Sequence, residues 1–242
     1  MKNCFAVALA TLALAGLSGA ARADLTISGA VGLPLNPTAQ IPQEGGARIQ
    51  GNYFRPGDDV NNYSLVGATR VGGTLELNGG ITRLDADTFE RTGPAIGVKY
   101  LFSRESDPTG VRLAVGAGYD RALLNQTYLY AVGTKYLGAV TGERIPISAH
   151  LGIRYDRFDA GGIDSNKASV YAGAEVPITR DGGFQAVGEI QSKNADGGST
   201  PYSAAIRYRP KGQPFGASIG VARQGLAGSG FFAQIGYSFG VK

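Results

Sequence analysis

The chain contains a single histidine. His150 stands two residues from Ser148, and Glu175 lies on the next extended segment, so a hydroxyl nucleophile, an imidazole base and an orienting carboxylate can be drawn together as a hydrolytic arrangement. Lipid acyl hydrolysis would favour a site open to a bilayer, whereas all three residues fall on one inward polar face in the alternation described below. A lone histidine among inward polar residues reads as a hydrogen-bonded wall residue, and the protein is read as a non-enzyme. The other chemistry-bearing side chains on that face are of mixed charge: Arg48, Lys99, Arg112, Lys135, Arg154, Arg207 and Arg209 against Glu76, Asp120, Asp156, Glu175 and Glu189. With Ser, Gln and Gly between them they describe a wet interior, and the seven-to-five excess of cations predicts weak anion preference. No phosphate-binding glycine loop, calcium repeat or metal-spaced His or Cys set is present, so no cofactor or metal is expected.

The elements that position these residues begin after an export signal. Lys2 starts it, Phe5 to Leu17 form its apolar run, and Ala21-Arg22-Ala23 is a small-residue cleavage site, so residues 1–23 are expected to be removed. Cys4 leaves with the signal, and the mature chain has no thiol. Lys2 and Arg22 leave too, which lowers the formal charge from +4 to +2 and removes any ground for a nucleic-acid partner. The apolar run is short for a spanning helix of about 20 residues, and no later segment approaches one. Entry into a membrane would therefore be by strands.

From Gly46 onward the pattern is alternation at period two, in segments of about ten residues separated by Gly, Asp, Asn and Pro clusters. Twelve segments are predicted: 46–56, 63–70, 74–84, 95–104, 111–121, 127–138, 145–157, 167–178, 184–193, 201–210, 215–225 and 231–241. Connections this short require antiparallel neighbours. The fold class is all-β, a transmembrane antiparallel up-and-down β-barrel of about 12 strands, with a secreted sandwich or soluble ligand-binding barrel as the competing forms.

The aromatic residues favour the membrane form. If odd segments run upward, Tyr53, Tyr63, Tyr119, Tyr128, Tyr155, Tyr202 and Phe231 fall at the upper ends of the apolar phase. Tyr100, Phe102, Tyr136, Phe184, Tyr208, Phe215, Tyr237 and Phe239 fall at the lower ends. Two aromatic girdles bounding an aliphatic band suit a lipid-facing surface about 25 Å tall. The eight residues from Tyr128 to Tyr136 would project to roughly 20 Å at a 40° tilt. Arg55, Arg83, Arg121, Arg157 and Arg223 fall at or beyond the upper girdle; the expectation is lipopolysaccharide phosphate binding, against simple interfacial snorkelling. Arg104 and Arg180 hold the matching lower positions.

Residues 24–45, broken by Pro34, Pro37 and Pro42, are expected to be either a periplasmic leader or a lumen plug, and residues 46–242 the barrel. Twelve strands with many inward glycines leave an interior for water or a plug. The predicted function is a narrow channel for small hydrophilic solutes; the alternative is a closed structural barrel. The outer loops, including 85–94 and 158–166, read as short. The oligomeric state is left open.

The C-terminus resembles the assembly signal of bacterial outer-membrane β-barrel proteins, through Gln234, Gly236, Tyr237, Phe239 and Val241, although Val241-Lys242 stands where an aromatic residue usually ends the pattern. The stretch from Gly32 to Gly45 is similar to one preceding the first strand in exported barrel families, some linked to exopolysaccharide secretion. The resemblance implies a porin-like protein of the bacterial outer membrane, carried across the periplasm by chaperones and inserted by the barrel-assembly machinery, with outer-membrane lipid and lipopolysaccharide around it.

Overall fold

The computed structural model describes residues 24–43, 45–57, 59–104, 110–121, 125–137, 147–160, 163–179, 181–210 and 212–240. The expected signal, residues 1–23, and Arg180 and Val241 lie outside the described residues. The twelve strands are β1 (Ala47–Gly57), β2 (Val60–Val71), β3 (Leu75–Ala86), β4 (Phe89–Ser103), β5 (Val111–Asp120), β6 (Gln126–Tyr136), β7 (Ser148–Ala160), β8 (Ile163–Pro177), β9 (Phe184–Gln191), β10 (Tyr202–Tyr208), β11 (Phe215–Gln224) and β12 (Gly228–Phe239). Each pairs antiparallel with its sequence neighbours, and β12 closes on β1 from Ala47 opposite Phe239 to Arg55 opposite Phe231. Closure leaves no sheet edge, so the ladder satisfies the backbone without water. Gly72 and Gly73, with φ of 59° and 82°, make the short reversal from β2 to β3 that side-chain-bearing residues resist.

The outer face is apolar and the inner face polar, the inverse of a soluble barrel. Leu151 and Ile219 are 67% and 64% exposed, and Ile81, Ile96, Leu129, Ile153 and Val170 stand out similarly around the wall. Water does not tolerate an apolar surface continuous around a whole molecule, so this is a transmembrane barrel with its aliphatic band in lipid. Aromatic clusters bound that band. Tyr53 stacks at 5.2 Å from Tyr63 and 5.4 Å from Phe231 at the upper end. Phe184 and Tyr208 lie 4.7 Å apart at the lower end, with Tyr237 and Phe239 at 4.9 Å.

Strand phase follows the expected assignment in every strand but β6. There Tyr128, Tyr130, Val132 and Thr134 are buried inward, while Leu129 faces out. Lys135 is exposed and shares the outward face of its partners Val111 and Ala149, so it does not line the lumen. Tyr128 likewise leaves the upper girdle, and the Tyr128-to-Tyr136 span measures no membrane thickness. The cause lies on β5. Gly118 and Gly116 stand directly opposite Tyr128 and Tyr130, and any side chain on either glycine would occupy the space of the facing ring. Gly152 makes the same room for Tyr171 across β7 and β8. Overpacking such a joint costs about 1–3 kcal/mol. Gly118→Val is therefore expected to lower unfolding stability by about that amount, read as an earlier urea midpoint for the heat-modifiable gel band; an unshifted midpoint would contradict the inward placement of Tyr128.

The β3–β4 and β7–β8 ladders run further than expected, to Ala86 opposite Phe89 and Ala160 opposite Ile163. Polar residues on both phases hide the alternation there, while cross-strand pairs such as Arg83 to Glu90, 2.9 Å, continue the ladder.

Candidate functional site: the filled lumen

The lumen is occupied by the chain's own N-terminal segment. Residues 24–40 are almost entirely buried inside the barrel, doubling back on themselves before joining β1 at its lower end. Six backbone hydrogen bonds hold them internally: Thr26 N–H to Ala30 O, 2.7 Å, Ile27 N–H to Pro34 O, 3.0 Å, Gly29 N–H to Thr26 O, 3.0 Å, Gly32 N–H to Asp24 O, 2.9 Å, Leu33 N–H to Asn36 O, 2.9 Å, and Thr38 N–H to Val31 O, 3.1 Å. Gly29 turns the first loop at φ 105°. Pro34 and Pro37 lower the number of backbone donors that need a partner. The wall satisfies most of the rest, since an orphaned buried amide costs about 1–3 kcal/mol.

Four groups of inward wall residues do this work. Glu76 on β3 and Lys99 on β4, both fully buried, pair at 2.8 Å. Glu76 accepts the Val31 N–H at 2.9 Å, and Lys99 Nζ donates to Val31 O at 2.8 Å and to Gln40 O at 2.9 Å. Glu189 on β9 accepts the Leu35 and Asn36 N–H groups at 2.7 and 3.0 Å and the Ser203 hydroxyl at 2.6 Å. Arg154 on β7 holds Asp156 at 2.8 Å, lies 4.0 Å over the Tyr128 ring and reaches the Asn36 side chain at 3.3 Å. At the lower mouth Arg48, Arg207 and Arg209 converge on Asp24. Burial would raise the Asp24 carboxyl, but Arg207, Arg209 and Arg48 outweigh it and hold it well below the usual carboxylate range.

Apolar docking accompanies the polar bonds. Ile27 and Leu33 pack with Phe54, Val187, Ala205, Ala222 and Phe232. Leu25 and Val31 pack with Val66 and Ala68. Ala39 sits among Leu101, Ala114 and the inward tyrosines. Burying a Leu or Val side chain fully is worth about 1.5–3 kcal/mol. Above the segment a cavity of about 50 Å³ remains, lined by Ser28, Asn62, Asp120, Gln126, Arg154 and Gln191 among others.

Ser148, His150 and Glu175 are inward and close together but do not form a relay. His150 Nδ1 bonds to the Thr134 hydroxyl at 2.9 Å, while the two Glu175 oxygens are taken by Arg207 and Gln40. Arg112 lies on the inward phase of β5, half-buried. Arg55, Arg83, Arg121, Arg157 and Arg223 stand at the upper ends of β1, β3, β5, β7 and β11. Arg83 pairs there with Glu90, and Arg223 lies 5.4 Å over the Tyr202 ring. In β12, Gln234 and Gly236 face inward and Tyr237 and Phe239 outward. Gln234 donates to Asn52 Oδ1 at 3.0 Å.

Asp24, Gln50, Thr134 and the inward tyrosines belong to this site and carry no motif in the sequence. A signal for the segment does exist: Asp24 is the only charged residue between Ala23 and Glu44, and Leu25, Ile27, Val31, Leu33 and Leu35 alternate at period two.

No protein-family model matches the chain, and no curated protein does. Among solved structures, a chain from work on the in-meso crystallisation of membrane proteins is 12% identical at a TM-score of 0.44, over 81% of this chain and 83% of the other. Two mutants of a Rhodopseudomonas blastica porin are 11% and 12% identical at TM-scores of 0.30 and 0.31, each over 81% of this chain and 98% of theirs.

Proposed function

We propose that this protein is an outer-membrane channel whose lumen is closed by residues 24–45 acting as a plug, and that release of the plug admits small hydrophilic solutes with a weak preference for anions. The observation that carries this reading is the way the lumen is filled. The wall keeps glycines inward at 80, 116, 118, 152, 216, 220 and 236 and carries paired ions, and a separable segment takes up the space. A barrel built only to be solid would fill its interior with wall side chains, as eight-stranded barrels do. Without Lys135 the wall cations fall close to parity with the carboxylates, so selectivity is assigned to the three arginines at the lower mouth rather than to an overall excess.

Single-channel recording tests this. The intact mature chain is expected to be closed with rare openings, and the chain lacking residues 24–45 to conduct steadily; a folded deletion protein without conductance would overturn the channel in favour of the closed structural barrel.

The same reading keeps the barrel-assembly machinery, periplasmic chaperones and lipopolysaccharide as partners, β12 carrying the assembly residues and the upper arginines the phosphate contacts. Loss of lipopolysaccharide co-purification after combined Arg→Gln changes at 121 and 157, both exposed, is the expected result; unchanged retention would leave these arginines as interfacial residues only.

A further inference from the structure

We propose that Arg48, Arg207 and Arg209 form a binding site for a small polyvalent oxyanion at the lower mouth of the lumen, which Asp24 occupies as a tethered ligand, so that a free anion competes with the segment for it. This rests on the plug reading above, because competition requires that the segment can leave.

The site is constructed rather than fortuitous. Arg207 and Arg209 come from the lower end of β10 and Arg48 from the lower end of β1, with β11 and β12 between them in the sheet. Those two strands present Gly216 opposite Gly236. The Arg48 side chain lies across this glycine floor. A Cβ on Gly236 would stand 2.9 Å from Arg48 Nε, and one on Gly216 3.3 Å from Arg48 Nη2 and from Arg209 Cγ. A side chain at Gly236 would displace the Arg48 guanidinium from this position, and one at Gly216 would crowd it.

Two of the arginines are also held independently of Asp24. Arg48 Nη1 donates to Ser238 Oγ at 3.1 Å, and Arg207 Nη1 to Glu175 Oε1 at 2.5 Å. Other guanidinium nitrogens meet the Asp24 carboxylate, Arg48 Nη2 at 2.6 Å from Oδ1 and Arg209 Nη2 at 2.8 Å from Oδ2, with Arg207 Nε on Oδ2 as well, while Arg207 Nη2 donates to Gly32 O at 3.4 Å.

Charge sets the ligand class. Among the described residues, three guanidinium groups face two carboxylates, those of Asp24 and Glu175. When Asp24 withdraws, Glu175 alone remains, and the site is short of two negative charges. Guanidinium forks fit the oxygen spacing of phosphate and carboxylate groups, so a dianion such as hydrogenphosphate fits and chloride does not.

The test uses the full mature chain carrying Asp24→Ala, with inorganic phosphate as the probe and chloride at matched ionic strength as the control. Titration calorimetry in detergent is expected to give one saturable phosphate site, at least about tenfold tighter than in the unaltered chain where Asp24 competes, and phosphate is expected to raise the unfolding midpoint of the variant. Adding Arg209→Gln, the least buried of the three, is expected to weaken phosphate binding by about tenfold while leaving the barrel folded. Equal affinity in the unaltered chain, the Asp24→Ala chain and the double variant would overturn the site. Binding is read without current: a silent bilayer with phosphate bound would sink the channel and spare this site. Conductance without phosphate binding would do the reverse.

Discussion

Lys99→Met is expected to expel the N-terminal segment and convert a closed barrel into a conducting one. Lys99 is fully buried and makes three bonds at once, to Glu76, Val31 O and Gln40 O. Methionine fills nearly the same volume and removes the charge, so packing loss is minor. What remains is the Glu76 carboxylate without its partner in a site closed to water, a situation that costs roughly 3–5 kcal/mol. The chain has a cheap escape. Undocking residues 24–45 lets water reach Glu76 while every strand keeps its ladder, so the penalty falls on the docked state and not on the barrel. An equilibrium shift of that size is on the order of a hundredfold or more in the open population. Replacing both partners, Glu76→Leu with Lys99→Met, is expected to recover only part of it. The pair is then gone, but the Val31 N–H and the Gln40 carbonyl have lost their partners, while Val31 O keeps only the Thr38 N–H. Open probability in planar bilayers reads both variants, and a Lys99→Met chain as closed as the unaltered one would show that this pair does not hold the segment.

Asp24→Asn acts on the other ionic anchor. It leaves Arg48, Arg207 and Arg209 with Glu175 as their one carboxylate within the cluster, and breaking a buried ion group in this way again costs about 3–5 kcal/mol. The pH dependence follows from the depressed Asp24 carboxyl. A group whose acidity is strengthened by docking stabilises the docked state above its free value, 3.8, and loses that contribution as pH falls below it. The unaltered chain is therefore expected to stay closed from neutral pH down to about 4 and to open more often below. Asp24→Asn should be open already at neutral pH and lack this group's acid response. Proteolytic cleavage within residues 24–45, followed across pH in both chains, measures the difference. Identical profiles would remove Asp24 as an anchor.

The architecture was legible because one physical constraint repeats along the whole chain. Lipid outside and a polar lumen inside impose period two, and Phe231, Ile235 and Tyr237 against Gln234, Gly236 and Ser238 display it openly. β6 broke the reading because both of its phases carry side chains able to face lipid. Tyr128 and Tyr130 alternate with Leu129 and Ala131, and the deciding feature, glycine on the neighbouring strand, is visible only once Gly118 is set against Tyr128 by the register. Phe232, an apolar residue on the otherwise polar phase of the last strand, is a lumen residue packed near Ile27 and Leu33. The arginine cluster was hidden for a similar reason. Arg48 meets Arg207 only through barrel closure and two intervening glycines, and neither register nor closure is written in the pattern of a single strand. The segment from Leu25 to Gln43 was more legible than its prolines suggested: an uncharged, alternating stretch of that length in a chain that is 17% charged belongs out of water.

Conductance of a tethered segment tests the central claim most directly. Ala39 N–H bonds to Thr134 Oγ1 at 3.0 Å, which brings the segment against the wall of β6. Residues 24–242 contain no cysteine, so Ala39→Cys with Thr134→Cys introduces the only possible disulfide within them. In a chain that also carries Lys99→Met, the oxidised protein should be silent in planar bilayers and should begin to conduct when reductant is added. The same current before and after reduction would contradict closure of the lumen by residues 24–45.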